Sequence, residues 1–189
     1  VQQKILLEGE QSRKKNMVRT LTAKEKQLQK ELELKRQIAK RLEKELAKII
    51  EEEKRKSPVT ALTPEQKLIG ESFVDNKGRL PWPVERGVIT AHFGVQKNSV
   101  LKYLTEDNIG IEVTSSGKTI ARSIFKGEVA AITAISGSNM TVLIRHGEYF
   151  SVYNNLVNLR VKKNDKVELK QALGDVFIDP GAGNNCILI

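Results

Sequence analysis

From residue 14 to residue 56 the chain contains neither proline nor glycine, and Glu, Lys, Leu, Gln and Ala dominate it. These residue types form helices readily, so the stretch predicts one long, uninterrupted α-helix. A single heptad register runs through it. Its a and d positions include Leu7, Val18, Leu21, Leu28, Leu32, Ala39, Leu42, Leu46 and Ile49, spaced alternately by three and four residues where they are consecutive. That is the seam of a coiled coil or of a two-helix hairpin. The seam is imperfect, because Gln11, Lys14, Glu25 and Lys35 fall in the same register, and Gly9 weakens its start. At ~1.5 Å per residue such a helix reaches roughly 70–80 Å, beyond any small globular body.

The arm is also where the charge sits. Residues 1–57 carry 17 Lys and Arg against 10 Asp and Glu, whereas residues 58–189 carry 15 against 13. A basic helix can bind nucleic acid through phosphate contacts. Here, however, the signs are interleaved, no aromatic residue is present for stacking, and no division into basic and apolar halves appears. No nucleic-acid partner is expected. The alternation of Glu and Lys suits a solvated helix surface supported by i,i+4 pairs, and the arm reads as a spacer or docking rod. Val1 already falls within the helical pattern, so the chain is expected to be a piece of a longer protein, and the lack of an export signal carries no weight. No run approaches the roughly 18–20 apolar residues that span a bilayer. The single cysteine, Cys186, excludes an intramolecular disulfide and a cysteine-based zinc cluster.

Residues 56–63, KSPVTALT, break the helix. A short second helix is then predicted from Thr63 to about Val74. Thr63 is the N-cap, Pro64 takes the first position, and Gln66 completes a capping box. Leu68, Ile69 and Phe73 would form its apolar face, and the turn DNKG at 75–78 would end it. From Leu80 onward the pattern becomes short β-type runs with turn punctuation. Strands are expected near 87–92, 109–113, 119–123, 127–135, 141–146, 149–154 and 175–178, with turns at 137–139, 146–148 and 162–166. No helical run interrupts them. The fold class is therefore α+β in two parts: a coiled-coil arm over 1–57, a linker with a short helix over 58–79, and a mainly antiparallel all-β domain over 80–189. About 110 residues are enough for a core of their own.

Several segments of that domain then form an ordered series: LPWPVERGVITAHFG (80–94), IGIEV (109–113), ARSIFKGEVAAI (121–132), NMTVLIRHGEYFSVYNNL (139–156) and VKKNDKVELKQALGDV (161–176). The series resembles the LytM (lysostaphin-like) zinc metallopeptidase domain of bacterial cell-wall hydrolases. With the coiled-coil arm, the chain looks most like the EnvC-type murein hydrolase activators. In active members, the resemblance implies, zinc is held by the His and Asp of H-x-x-x-D and by the second His of a late H-x-H. A His in a Y-x-H-L segment and the first His of H-x-H assist. In this chain Asn108 and Glu112 stand at the first pair, Asn155 follows Tyr153 in Y-N-N-L, and Ile187 and Ile189 align with the late histidines.

The chemistry of those replacements argues against catalysis. A catalytic zinc needs three protein ligands and one open position, and the metal supplies the activated water. Only Glu112 retains ligand chemistry; an Asn amide substitutes poorly for imidazole and Ile cannot ligate. His92 and His146 are the only histidines, and both read as structural or surface residues. Nothing local supports a nucleophile elbow or a triad, and the GAG at 181–183 beside Pro180 reads as a turn, not a phosphate loop. The chain is expected to be no enzyme and to need no cofactor.

An emptied cleft still binds. The resemblance implies a periplasmic activator of zinc-dependent cell-wall amidases, acting at the envelope or division site, with the arm engaged by an FtsE–FtsX-type membrane complex. Asn108, Glu112, Tyr153, Asn155, Ile187 and Ile189 are the candidate groove residues. Asn98, Lys102, Tyr103 and Arg122 are candidates for its rim, and Leu68, Ile69 and Phe73 for a self-restraining helix lying over it. Two alternatives remain open at this point: a peptidoglycan-binding module without activity, and, less favoured, an active zinc endopeptidase.

Overall fold

The computed structural model describes residues 2–56, 62–97, 105–134, 139–179 and 183–188. The chain divides into two compact units, 1–44 and 45–189. Helix α1 (Gln2–Lys56) is continuous, as the absence of internal breakers from 14 onward predicts. Its lysine-rich last turn, Lys54 to Lys56, complements the negative end of the helix dipole. Within the first unit the seam residues Val18, Leu21 and Leu28 are exposed, as are Met17 and Leu34.

In the second unit the last turns of α1 carry Glu53. Its carboxylate pairs with Lys56 at 2.9 Å and with Lys163 at 3.6 Å. Helix α2 (Pro64–Asp75) follows with the capping box that its sequence predicts. The Gln66 amide donates to Thr63 Oγ1 at 3.2 Å, and the Thr63 amide donates back to Gln66 Oε1 at 3.0 Å.

The β domain is antiparallel throughout. Its strands are β1 (Val88–Ala91), β2 (Gly94–Lys97), β3 (Thr105–Asn108), β4 (Ile111–Ser115), β5 (Ile120–Arg122), β6 (Gly127–Ala134), β7 (Met140–His146), β8 (Tyr149–Val157), β9 (Lys166–Val167), β10 (Ala172–Val176), β11 (Ile178–Asp179) and β12 (Gly183–Leu188). The main sheet runs β1-β4-β12-β8-β7-β6-β9; β10 joins β8 to β5, β11 pairs with β12, and β2 and β3 form a separate ribbon. Val113, Val129, Val142, Ile144, Tyr153, Leu156 and Leu173 belong to one buried core.

Four strands were not expected from the sequence. β2 and β9 are short and polar, and β12 is where the late motif lies. The fourth is β3: the strand expected at 109–113 is β4, shifted to 111–115, and the chain bends at Ile109 and Gly110 where it passes from the β2–β3 ribbon to the main sheet.

Candidate functional site

Strand β12 inserts between β4 and β8, and this placement joins the distant motifs. Ile187 pairs with Glu112 on one side and with Asn154 on the other. Glu112, Ile187 and Asn154 therefore form one row across three strands. Glu112 is half-buried. Asn154 is buried, and its Oδ1 accepts a hydrogen bond from Thr141 Oγ1 at 2.8 Å.

Asn155 leaves this row through a β-bulge. Met140 pairs with Leu156 and Val142 with Tyr153, so Asn154 and Asn155 together face the single residue Thr141. The extra residue takes the left-handed conformation, with Asn155 at φ 64°, a region that Asn tolerates better than most side chains. Its Oδ1 accepts from Asn139 Nδ2 at 2.7 Å. Asn108 ends β3 opposite Gly94, and its Nδ2 donates to the His92 carbonyl at 3.2 Å.

Some expected site residues lie elsewhere. Tyr153 is wholly buried in the core, with its Oη accepting the Ile124 amide at 2.8 Å. It cannot line an open groove, because alternation along β8 turns it to the core side. Arg122 sits on β5, where its Nη2 donates to the Val84 carbonyl at 3.2 Å and its amide to the Pro83 carbonyl at 2.7 Å. Asn98, Lys102, Tyr103 and Ile189 lie outside the described residues. Among the described residues no group of three or more His, Cys, Asp or Glu side chains is placed to hold a metal ion. Asn185, which the sequence reading did not single out, pairs with Thr114 two places before Ile187.

Helix α2 docks at the other end of β8. Gly70 packs on the β7–β8 turn, and Gly147 takes φ 69° there. A Cβ on Gly147 would lie 2.6 Å from the Gln66 carbonyl oxygen and 2.8 Å from Gly70 Cα. Arg145 Nε donates to the Gly147 carbonyl at 2.9 Å and braces the turn. Phe73 stacks on His146 at 4.8 Å and on Tyr149 at 5.7 Å, and meets Phe125 edge-on at 5.5 Å. The stripe turned to the domain is thus Ile69, Gly70 and Phe73, with Gly70 buried and the other two half-buried. Leu68, expected on that face, is 62% exposed, because position 68 lies off the stripe at helical spacing. Tyr149 and Asn154 are separated along β8 by about 17 Å at ~3.3 Å per residue, so α2 docks at the hairpin end and not on the row. Beside it, Lys67, Glu71, Val74, Glu148 and Tyr149 border an open cavity of about 590 Å³.

His146 is the one strongly perturbed titrating group at this contact. Burial pushes its pKa down to about 4, opposed by its bond to the Lys126 carbonyl. Nδ1 lies 2.7 Å from that carbonyl and so donates to it. Nε2 must then accept, from Ser151 Oγ at 2.7 Å. With the Ser151 proton committed, Tyr153 Oη supplies the proton of its 3.3 Å contact with Ser151. The chain of bonds is complete with a neutral imidazole, and it is structural in character.

The row, the bulge and the half-buried acid belong to a region with a recognisable family signature. Residues 106–187 match the model of Peptidase family M23. The M23 match begins in β3 and ends at Ile187, so it spans Asn108, Glu112, Asn155 and the row. No curated protein matches the chain. Among solved structures it is similar to Helicobacter pylori Csd3 at 22% identity, over 58% of this chain and 30% of that one, with a TM-score of 0.48. It is also similar to the catalytic domain of a mutant of the prophage-encoded M23 protein EnpA from Enterococcus faecalis. There the identity is 23% over 59% of this chain and 85% of that one, with a TM-score of 0.48. A chain of the SpoIIQ–SpoIIIAH pore-forming complex aligns at 18% identity over 58% of this chain and 80% of its own, with a TM-score of 0.47.

Proposed function

We propose that this chain is a non-enzymatic activator of zinc-dependent cell-wall (N-acetylmuramoyl-L-alanine) amidases, of the EnvC type, working in the periplasm at the division site. The observation that carries this reading is the row Glu112–Ile187–Asn154 within a region matching M23. In a metallopeptidase of this kind the acid of H-x-x-x-D and the second His of H-x-H must reach one metal. Glu112 has Ile187 as its register partner, which favours Ile187 as the second station and Asn185 as the first, instead of Ile187 and Ile189. With Asn108 at the remaining ligand position, one carboxylate is left where zinc needs three ligands. The surface is then a binding surface, and the zinc belongs to the amidase.

Activation requires that the groove bind the open amidase better than the closed one, since equal affinity for both shifts no population. Asn108, Glu112, Asn155, Asn185 and Ile187 are the positions through which that preference would act, and the arm would take its cue from an FtsE–FtsX-type complex. Release of dye from labelled cell wall tests the reading. The chain alone should release none, and the chain with a zinc amidase should release more than the amidase alone. Release by the chain alone would make it a peptidase. Co-sedimentation with purified wall and no effect on any amidase would make it a peptidoglycan-binding module.

A further inference from the structure

We propose that the turn at 162–166 is a salt-sensitive clamp: Lys163 fastens the end of α1 through Glu53, and Lys166 fastens the start of α2 through Glu65. Lys163 Nζ lies 3.6 Å from Glu53 Oε1, and Lys166 Nζ lies 3.1 Å from each carboxylate oxygen of Glu65. The two lysines are three residues apart, and the acids they hold stand on either side of residues 57–62. The turn itself is tied to the sheet. The Asn164 amide donates to the Val129 carbonyl at 2.8 Å, and the Val129 amide donates to the Asp165 carbonyl at 2.9 Å. The Lys162 amide donates to Asp165 Oδ2 at 2.7 Å, and Lys166 pairs with Glu128 of β6. The lysines therefore project from a fixed frame, and the helix ends are the parts that can move.

The two prongs differ in strength. The Glu65 side chain is 67% exposed and that of Glu53 only 14%. An exposed pair is screened and shifts an equilibrium by up to about fivefold, so the Lys163–Glu53 prong is the firmer one. Burial raises the pKa of the Glu53 carboxyl, yet Lys56 and Lys163 outweigh it and the net shift is downward. Opening this prong does not strand the acid, because Glu53 keeps Lys56 at 2.9 Å within the helix; a buried charge left without a partner is what would forbid it. Beneath lies a cleft of about 220 Å³ bordered by Glu53, Lys56, Gln66, Glu128, Arg145 and Lys163. Its lining is charged and polar, so little apolar burial opposes opening at this turn. Leu46 and Leu62 are buried on either side of the clamp and keep the release local. The last turn of α1 is thus a strap over the cleft and over Arg145, which is 8% exposed.

Hydrogen–deuterium exchange of the full chain, read by mass spectrometry at roughly 10 mM and 1 M salt, tests the clamp. Between these the screening length falls from about 30 Å to about 3 Å. Exchange in residues 45–56 and 62–75 should speed up about two- to fivefold at high salt, while β7 and β8 stay unchanged. At low salt Lys163→Glu should have the same effect within 45–56, and Lys166→Glu within 62–75. Lys163→Gln removes the first prong more mildly and should act in the same direction. The swapped pair E65K/K166E should exchange more slowly in 62–75 than either single variant. Exchange in 45–56 that ignores both salt and the Lys163 variants would overturn the proposal. So would acceleration spread evenly over the strands, which marks general destabilisation, or a swapped pair no slower than its single variants.

Discussion

The Phe73 ring lies flat on the His146 imidazole, with centroids 4.8 Å apart and planes within 5°. One side of that imidazole is therefore closed by α2, and both ring nitrogens are occupied by Lys126 and Ser151. Protonating it would leave a charge buried away from water. Its folded pKa lies near 4, below the 6.5 of the free side chain. A depressed folded value means that the unfolded chain binds the proton first. The stabilisation is present above pH 6.5 and is lost as the pH falls towards 4. At about 1.4 kcal/mol per pH unit, the loss approaches about 3 kcal/mol. Thermal unfolding between pH 7 and pH 4 should show it, and His146→Phe should make the decline shallower.

The approach of α2 to the β7–β8 turn rests on two glycines. Gly147→Ala puts a methyl against Gln66 and Gly70 in addition to straining φ 69°, and should cost about 2 kcal/mol or more. Gly78 has a similar φ, 77°, with open space around it. Gly78→Ala should therefore cost only about 1 kcal/mol, the strain alone. Chemical denaturation of the two variants separates contact from conformation. Equal losses would mean that α2 is not held at this turn.

Two of the three apolar residues expected on one face of α2 should also behave differently. Phe73→Ala removes a ring stacked on His146 and Tyr149 and should destabilise by about 2–3 kcal/mol. Leu68→Ala, at an exposed site, should stay within about 0.5 kcal/mol of wild type.

That contrast illustrates what could be read beforehand. The ends of α2 were legible because capping is local: Thr63, Pro64 and Gln66 act within one turn. Its packed face was legible in Ile69 and Phe73 but not in Gly70, which makes its contact through the side chain it lacks. The long helix was legible from composition alone. The row was half legible. Asn108 and Glu112 stood out by their frame, but the neighbour of Glu112 across the sheet depends on where β12 inserts, a pairing made by residues more than seventy positions away. Tyr153 was misplaced for a related reason: a motif position says nothing about which face of β8 it occupies, and the bulge at Asn155 turns only one of the two neighbours.

The register of β12 makes a prediction that can be tested by gain of binding. If Glu112 and Ile187 stand where an acid and an imidazole would share a metal, then Asn108→His, Glu112→Asp and Ile187→His together should create a three-ligand zinc site. The purified triple variant should carry about one zinc per chain, against background for wild type, and zinc should raise its melting temperature. Moving the last imidazole two places, with Ile189→His in place of Ile187→His, should leave zinc at background, because the register partner of Glu112 is residue 187. Equal zinc in the two triple variants would refute the assignment of Ile187 as the second station.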